Sequence, residues 1–466
     1  MVDRLSPLDA SFLYIEEPTT AMHVGGVLLF DPVSTDEPFD YDGLVRLIDE
    51  RLPLVPRYRQ KVKEVVGHLG SPVWVDDVDF DLSFHVRRSA LPRPGSMEQL
   101  RDLVGRLMSR RLDRGRPLWE VYLVEGLADG STAIISKTHH AMVDGRAGVD
   151  IASVLFDLTP TPRQTERQEW RPAPEPSQLA LVAGAVSGVL RQPATAVDSV
   201  RTAVSDVRAT AGKAAGLATG VLAAARTQLS PAPSSPLNAR IGEQRRYGMV
   251  ATDLDDYKRV RKAHGGTIND VVLAVVAGAL RTWLLTRGES VTPSTTVRAM
   301  VPVSVQRDAA QAGQGGNAVS SYFVDLPVGE PSAVVRLQHV SFAMKAHKES
   351  NQSVGAETLI ALGGFAPPNL FALGARVASG LSRRAFNLVV TNVPGPQFPL
   401  YAAGAHLRAM YPVVPLAKGQ ALCVALMSYE GGIYFGLNAD RDAMPDIDVL
   451  ASCIGESLTD LVEAVR

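Results

Sequence analysis

The chain has 466 residues, of which 46% are hydrophobic and 21% are charged, and its formal net charge is −2. Nucleic-acid-binding proteins usually carry a marked basic excess, so this charge balance argues against nucleic acid as a partner. The length exceeds that at which a single hydrophobic core stops growing, which favours two domains. The only cysteines, Cys423 and Cys453, form no CxxC motif, and we expect neither a disulfide framework nor a metal site.

The first part of the chain, residues 1–160, is predicted to form a mixed α/β domain. Strands are predicted at 24–30, 72–78, 80–86, 118–125 and 132–138, and helices at 41–51, 96–111 and 146–158. The turn Ala128-Asp129-Gly130 joins the last two strands as a hairpin.

Residues 161–238 are predicted to form a linker. Prolines at 160, 162, 172, 174 and 176 mark an extended segment with little ability to pack. Residues 177–229 are rich in Ala, Val and Gly, and they carry basic side chains at Arg191, Arg201, Arg208, Lys213 and Arg226. This pattern predicts one or two helices with a basic face. Such helices either pack between the domains or lie on anionic lipid.

The second domain is predicted at 239–466. Strands are predicted at 247–253, 296–305, 320–326, 388–393, 423–429 and 432–438, and helices at 254–264, 267–284 and 447–465. Because strands and helices alternate without regular βαβ spacing, the fold class predicted for the chain is α/β (α+β) with mixed sheets, not a doubly wound parallel sheet.

The predicted location is cytoplasmic. Residues 1–7 contain no apolar stretch typical of a secretion signal. No uninterrupted apolar run approaches the ~18 residues that a membrane-spanning helix needs. Any contact with a membrane is therefore expected to be peripheral.

Two adjacent histidines, His139 and His140, follow the predicted strand 132–138 and precede a turn at Asp144-Gly145. Neighbouring side chains of an extended segment point to opposite faces, so at most one imidazole easily faces a given pocket. An imidazole has a pKa near ~6.5 and suits general base catalysis. The alternatives are a pair that merely ends a strand, or metal binding through His140 and Asp144, which no second ligand pair supports.

Other catalytic signatures are absent from the sequence. It has no GxSxG nucleophile elbow and no Walker A motif, and the glycine-rich segment 313–318 opens a predicted strand, not the helix that a dinucleotide fingerprint requires. A lone histidine base suits direct attack of a hydroxyl or amine on an activated acyl donor such as a thioester. The predicted base is His140. Asp144 either orients its ring or pairs with a buried arginine.

Several motifs together resemble those of a known family. The string His139-His140-Ala141-Met142-Val143-Asp144-Gly145 fits the HHxxxDG signature of the CoA-dependent acyltransferase superfamily, which condensation domains share. The further strings are Leu5-Ser6-Pro7-Leu8-Asp9, Pro117-Leu118-Trp119-Glu120, Asn269-Asp270-Val271-Val272-Leu273-Ala274 and Asn392-Val393-Pro394-Gly395-Pro396. In this order over nearly the whole chain, they resemble the bacterial wax ester synthase/diacylglycerol acyltransferase family, and the mycobacterial triacylglycerol synthases look like a similar branch.

The resemblance implies a fold and a reaction. It implies two chloramphenicol-acetyltransferase-like domains joined by a long helical linker, with the active site in a tunnel between them. The substrates would be acyl-CoA and diacylglycerol, or a long-chain alcohol, and no cofactor would be needed. Contact with a membrane or lipid droplet would be peripheral. The alternatives are transfer to another acceptor, such as a glycolipid hydroxyl or an amine, and a catalytically idle lipid-binding protein.

The resemblance also assigns residue roles. His140 would be the general base, while His139 and Asp144, with Gly145 completing the turn, would hold the loop in shape. Residues Pro117, Leu118 and Trp119 would shape the tunnel, although core packing is the alternative for Trp119. Asn269 and Asp270 would open a helix that helps to form the site across the domain interface.

The sequence departs from the family pattern at two positions. Thr391 precedes Asn392 where many members carry serine, so the hydroxyl is retained. Gln306 stands where arginine is common. Either Arg298 or Arg307 would then replace that arginine in any pairing with Asp144.

Overall fold

Two large mixed β-sheets organise the molecule. The computed structural model describes residues 3–32, 39–66, 71–143, 155–163, 165, 170–183, 231–305, 318–349, 354–355 and 385–465. Each large sheet carries helices, and a small third sheet accompanies the first. The predicted fold class, two sheet-rich units with mixed strands and flanking helices, is confirmed.

The first half of the chain contributes strands and helices up to residue 142. They are β1 (Asp3–Arg4), α1 (Pro7–Ile15), β2 (His23–Phe30), α2 (Tyr41–Arg51), β3 (Gln60–Lys63), β4 (Val73–Asp76), α3 (Leu82–His85), β5 (Val86–Ala90), α4 (Met97–Met108), β6 (Trp119–Glu125) and β7 (Thr132–His139). Single 3₁₀ turns lie at Leu52–Leu54, Pro56–Arg59 and His140–Met142.

The second half contributes the remaining elements. They are β8 (Arg245–Asp253), α5 (Leu254–His264), α6 (Ile268–Thr286), β9 (Val297–Val305), β10 (Ala318–Leu326), α7 (Ala333–Glu349), β11 (Val354–Gly355), β12 (Leu388–Pro394), β13 (Tyr401–Ala402), β14 (Ala405–Val413), β15 (Leu422–Tyr429), β16 (Gly432–Asp440) and α8 (Ile447–Glu463).

The first large sheet has the order β13-β14-β2-β7-β6-β5, and the small sheet has the order β1-β4-β3. Strand β14 lies antiparallel to β2, with Tyr411 opposite Val27. A strand from the second half of the sequence therefore completes the sheet of the first half. The predicted domain boundaries at 160 and 238 stay a prediction.

The second large sheet has the order β11-β10-β9-β12-β15-β16-β8. Strand β12 runs parallel to both β9 and β15, whereas the other pairs are antiparallel. The two large sheets contact each other where the hydroxyl of Tyr247 on β8 donates to the carbonyl of Pro412 on β14 (2.8 Å). Helix α4 crosses β8 closely, because a Cβ atom at Gly105 would lie 2.7 Å from the main-chain oxygen of Arg245.

Helix α6 is the centre of the largest hydrophobic core. Its buried positions are almost all apolar, and β-branched or leucine side chains pack against the second sheet on one side and α8 on the other. By length and composition α6 is apolar enough to cross a membrane, yet 72% of its apolar window is buried inside the protein.

Local capping explains where several helices begin. Ser96 and Gln99 form a reciprocal capping box at the start of α4, and Thr267 and Asp270 form one at the start of α6. Each box satisfies two main-chain N–H groups that a helix N-terminus otherwise leaves without partners. The predicted helices at 96–111 and 267–284 correspond to these two elements.

One strand prediction for the first half is wrong. Residues 82–85 form the short helix α3 and not part of a strand, because the carboxylate of Asp81 accepts from the main-chain N–H of Ser83 and caps the turn. The proline-rich segment is exposed at residues 171–175 and touches the first half at Trp170, which contacts Phe80 at 6.1 Å between ring centroids, and at Pro176, whose carbonyl accepts from Lys63.

Some elements of the structure had no predicted counterpart, and one predicted helix falls mostly on residues that the structure does not describe. Helices α1 and α7 and strand β14 had no counterpart in the sequence prediction. The start of α1 had a usable signal, since Ser6 followed by Pro7 is a common N-cap and first-turn pair. Most of the predicted helix 146–158 lies outside the described residues.

Candidate active site

The two histidines lie where β7 ends. The main-chain N–H of His139 donates to the carbonyl of Leu118 (2.9 Å), and that of His140 donates to the carbonyl of Met22 (2.8 Å). The register of β2 and β7 places His23 directly opposite His139. The chain therefore brings a third histidine to the predicted site, from a position that the motif does not include.

His139 is enclosed by protein. Its Nδ1 accepts from the main-chain N–H of Ala141 (3.0 Å), so in the neutral ring Nε2 carries the proton. That Nε2 lies 3.8 Å from Oε1 of Glu16. Burial lowers the pKa of His139 to about 3, against the attraction of Glu16. His139 is thus held as a neutral imidazole in a fixed tautomer.

Glu16 is the buried carboxylate of this site. Its Oε2 accepts from Nη2 and Nε of Arg114 (2.6 and 3.0 Å), and its Oε1 lies 3.3 Å from Nε2 of His23. Burial raises the pKa of Glu16, but the hydrogen bond with His23 and the hydrogen bonds and charge of Arg114 outweigh burial and lower that pKa to about 2. Glu16 is therefore ionised throughout the physiological range. Sequence reasoning missed it; the only signal was a carboxylate directly after an apolar segment.

His140 has a different environment. Its ring stacks on the ring of Phe12 from α1, with centroids 4.0 Å apart and planes inclined by 22°. Its Nδ1 is buried and has no hydrogen-bond partner among the described residues. Burial lowers the pKa of His140, and the neighbouring main-chain carbonyl of His140 itself opposes that effect. The imidazole is therefore neutral at pH 7 and able to accept a proton.

A buried lysine continues the polar cluster along β7. Lys137 lies two residues before His139, so both side chains leave the same face of the strand. Its Nζ donates to the main-chain carbonyls of Leu107 (3.2 Å) and Arg110, and lies 3.8 Å from Glu120. Burial lowers the pKa of Lys137 to about 8. The lysine thereby satisfies carbonyls at the C-terminal end of α4, where positive charge is favourable.

The segment Pro117, Leu118 and Trp119 borders the site. Trp119 packs in the core, whereas Leu118 lines a cavity. Trp119 is fully buried; its Nε1 donates to the carbonyl of Tyr58 (2.8 Å), and its ring stacks on His85 at 4.6 Å. Leu118 lines a cavity of about 190 Å³. The other residues that line this cavity are Leu13, Val62, Glu64 and Arg114. The structure therefore packs Trp119 in the core, and a role of the segment in shaping a tunnel stays a prediction.

The second-half motif residues form a group of their own. Asp270 is the third residue of α6, and its carboxylate accepts from the main-chain N–H of Thr267 (2.8 Å). Asn392 on β12, which follows Thr391, donates through Nδ2 to Oδ1 of Asn269 (3.4 Å). Within the described part of the chain, no hydrogen bond or ring contact joins Asn269, Asp270 or Asn392 to His140. Asn269 and Asp270 open a helix as predicted, and their part in catalysis stays a prediction.

The described residues contain no group of three or more His, Cys, Asp or Glu side chains arranged to hold a metal ion. The buried ionisable groups at the end of β7 instead pair with one another.

Comparison with known proteins decides the family. The model of the wax ester synthase/diacylglycerol acyltransferase catalytic domain matches residues 5–272, and that of the WS/DGAT C-terminal domain matches residues 315–462. The chain belongs to the wax ester synthase/diacylglycerol acyltransferase family. It is therefore an acyltransferase by class.

Relatives of this WS/DGAT protein align over its full length. The probable diacylglycerol O-acyltransferase tgs2 of Mycobacterium tuberculosis is 34% identical over 476 residues, which cover 100% of both chains. The probable diacylglycerol O-acyltransferase tgs1 of the same species is 34% identical and covers 99% of this chain and 96% of its own length.

Solved structures show the same fold. The wax ester synthase/diacylglycerol acyltransferase of Marinobacter aquaeolei VT8 is 29% identical, with a TM-score of 0.70 and 99% coverage of both chains. The first condensation domain of the CDA synthetase has a TM-score of 0.56 at 16% identity and is similar in fold alone. The expected chloramphenicol-acetyltransferase-like architecture is confirmed.

Four further positions that the sequence singled out lie outside the described residues. They are Asp144, Gly145, Gln306 and Arg307. Arg298, one of the two arginines predicted as partners of Asp144, donates through Nε to Oδ1 of Asp325 (2.7 Å). The choice between Arg298 and Arg307 stays open.

Proposed function

We propose that this protein transfers a long acyl chain from acyl-CoA to diacylglycerol and so makes triacylglycerol, with fatty alcohols as alternative acceptors that give wax esters. The observation that carries the proposal is the half-buried imidazole of His140, which stacks on Phe12 at the end of β7 within the family's HHxxxDG string. The full-length similarity to proteins named diacylglycerol O-acyltransferases supports the choice of acceptor.

In the proposed reaction His140 acts as general base. It removes the proton from the acceptor hydroxyl as that oxygen attacks the thioester carbonyl carbon, which gives a tetrahedral oxyanion. The oxyanion collapses, the carbon–sulfur bond breaks, and the CoA thiolate takes the proton back from the imidazolium. The products are an ester and free CoA. No covalent acyl-enzyme forms, and acyl-CoA is a substrate, so no cofactor enters the step.

The surroundings of His140 favour this cycle. Burial keeps the ring unprotonated before the reaction, and His139 cannot compete for the proton because its Nδ1 is already hydrogen-bonded and its pKa is about 3. This difference between the two rings supports His140 as the base and His139 as its structural support.

The decisive experiment replaces the base. His140→Ala is expected to lower triacylglycerol synthesis by about 10²–10⁴-fold, the usual contribution of a general base. His339→Ala, at an exposed histidine on α7, is the matched control and should keep full activity. Undiminished triacylglycerol synthesis by a folded His140→Ala variant would overturn the mechanism.

A panel of acceptors tests the substrate. Purified protein is incubated with labelled palmitoyl-CoA and, in separate reactions, diacylglycerol, hexadecanol, a glycolipid and a long-chain amine. Triacylglycerol as the main product supports the proposal, whereas a glycolipid ester or an amide as the main product contradicts it. Recovery of bound lipid without any product would instead identify a lipid-binding protein.

We also propose a cytoplasmic location with peripheral contact to a membrane or lipid droplet. The basic, Ala- and Val-rich segment 177–229 supports contact with anionic lipid. Its residues Arg191, Arg201 and Arg208 lie outside the described part of the chain. Replacing the three by serine should weaken flotation with phosphatidylglycerol vesicles but not with phosphatidylcholine vesicles. Equal flotation of variant and wild type would reject this role.

A further inference from the structure

Helix α1 supplies the only ring stacked on the proposed base among the described residues. Phe12, in the middle of α1, lies 4.0 Å from His140 between ring centroids, with the two planes inclined by only 22°. The N-terminal string that includes Ser6 and Asp9 identified the family but received no role in the reaction. The stack connects that string directly to the site.

A catalytic imidazole needs a fixed orientation, and among the described residues no polar side chain hydrogen-bonds the Nδ1 atom of this ring. Nδ1 of His140 is buried without a hydrogen-bond partner among the described residues. The ring torsion of histidine is broad, so the main-chain hydrogen bond to Met22 fixes where the side chain starts but not where its plane lies. We propose that Phe12 is a positioning residue that holds the imidazole plane of His140 for acyl transfer, an inference that rests on the proposed role of His140 as base.

Phe12 is itself held firmly, because α1 is anchored near both ends. Just before its start, the main-chain N–H of Leu5 donates to the carbonyl of Pro72 (2.9 Å). At its end, the guanidinium of Arg114 donates to the carbonyl of Leu13 (2.7 Å) and binds Glu16. The same ion pair places Glu16 beside His139. Helix α1 therefore fixes the ring plane of one histidine and the surroundings of the other.

The stack has a second consequence during the reaction. When His140 accepts the acceptor's proton, the imidazolium lies over the face of Phe12, where the negative face of the ring attracts a cation. The attraction is stronger for the charged ring than for the neutral ring. Loss of Phe12 should therefore lower kcat and leave the KM for acyl-CoA nearly unchanged.

The test uses the full-length protein and three variants. Phe12→Leu keeps an apolar side chain but removes the ring, Phe12→Tyr keeps the ring, and Tyr322→Leu removes a ring stacked on His347 far along the chain. We expect Phe12→Leu to lower kcat about 10-fold, with KM changed by less than about twofold. Phe12→Tyr should retain most of the activity, and Tyr322→Leu should match wild type. A Phe12→Leu variant with wild-type kcat would overturn the proposal, as would a loss shown equally by Phe12→Tyr.

A second measurement does not depend on activity. A phenyl ring stacked at this distance shifts the imidazole proton signals of His140 upfield in NMR spectra of histidine-labelled protein, and the signals are assigned with His140→Gln. The shift should be present in wild type and Phe12→Tyr and lost in Phe12→Leu. Its absence from folded wild-type protein would overturn the stack even if no variant loses activity. An active His140→Ala variant, by contrast, would contradict the proposed base. It would not change the upfield shift expected for His140 in the wild-type protein.

Discussion

The end of β7 and the start of α6 each carry a motif of the WS/DGAT family, His139-His140 in the first case and Asn269-Asp270 in the second. At the end of β7, the buried side chain of Glu16 lies among other ionisable groups: it touches Arg114 and His23 and lies 3.8 Å from His139. At the start of α6, Asp270 caps the helix, and the positions that follow it are almost entirely apolar.

The two regions differ in how their residues affect the free energy of the folded protein. The capping box at α6 satisfies main-chain groups that would otherwise lack partners, and the helix then contributes stability by burying apolar surface. The cluster at β7 holds charges and neutral imidazoles away from water, which costs free energy unless they are paired. The buried apolar contacts make α6 a framework, whereas the end of β7 carries the groups that we propose for proton transfer.

The largest expected effect on stability lies in the framework. Leu280→Ala, at a fully buried position of α6, should lower the free energy of unfolding by about 2–5 kcal/mol, since it removes apolar contacts and leaves a cavity. Leu285→Ala on the same helix, where the side chain is 48% exposed, is the matched control with little expected change. Urea unfolding measures both. Equal losses at the two positions would contradict the view of α6 as a core framework.

The next effect concerns the polar cluster. Glu16→Gln should lower the free energy of unfolding by about 2 kcal/mol, because Arg114 and the histidines lose their buried anion. The neighbouring variant Glu17→Gln, which removes only an exposed pair with Lys418, should change stability little. Unlike Leu280→Ala, Glu16→Gln should also lower the activity per folded molecule. Full specific activity of Glu16→Gln would contradict the expectation that the end of β7, unlike α6, affects activity as well as stability.

The ionisation of Glu16 should also make the stability of the protein depend on pH. Its pKa is lowered to about 2 in the folded protein, so the stabilisation is complete above the ordinary glutamate pKa and is lost as the pH falls through about 2. Wild-type protein should therefore lose more stability on acidification than Glu16→Gln does. Urea unfolding at a series of acidic pH values measures the difference, and parallel curves would contradict the assignment.

The smallest effect tests a contact between the two sheets. His406 on β14 binds Asp31 through Nδ1 (2.8 Å) and Glu430, in the turn between β15 and β16, through Nε2 (2.9 Å). Burial lowers the pKa of His406, but the two carboxylates outweigh burial and raise that pKa. The stabilisation, about 0.5 kcal/mol for so exposed a group, is present below the ordinary histidine pKa and is lost as the pH rises through the raised value.

His406→Gln therefore destabilises the protein in mildly acid solution and has no effect in alkaline solution. Thermal unfolding of wild type and variant from pH ~5 to ~9 measures the difference in Tm. His339→Gln, at an exposed histidine on α7, is the control for the substitution itself and should leave Tm close to that of wild type. A pH-independent difference for His406→Gln would exclude a doubly protonated ring between the carboxylates.

The sequence alone determined most strands and helices of both halves, because alternating or helical apolar patterns and capping signals are local. It also determined the family and the proposed base, since the HHxxxDG string and its companions are contiguous. It failed where the deciding contact is distant, since β14 joins the sheet of the first half.

The tertiary structure decided what surrounds the two histidines. Phe12, Glu16 and His23 reach them because α1 and β2 pack against the end of β7, and no spacing in the sequence encodes those approaches. The two adjacent imidazoles differ for the same reason. His139 binds a main-chain N–H and faces a carboxylate, while His140 faces an aromatic ring, since neighbouring residues at a strand end meet different neighbours in space.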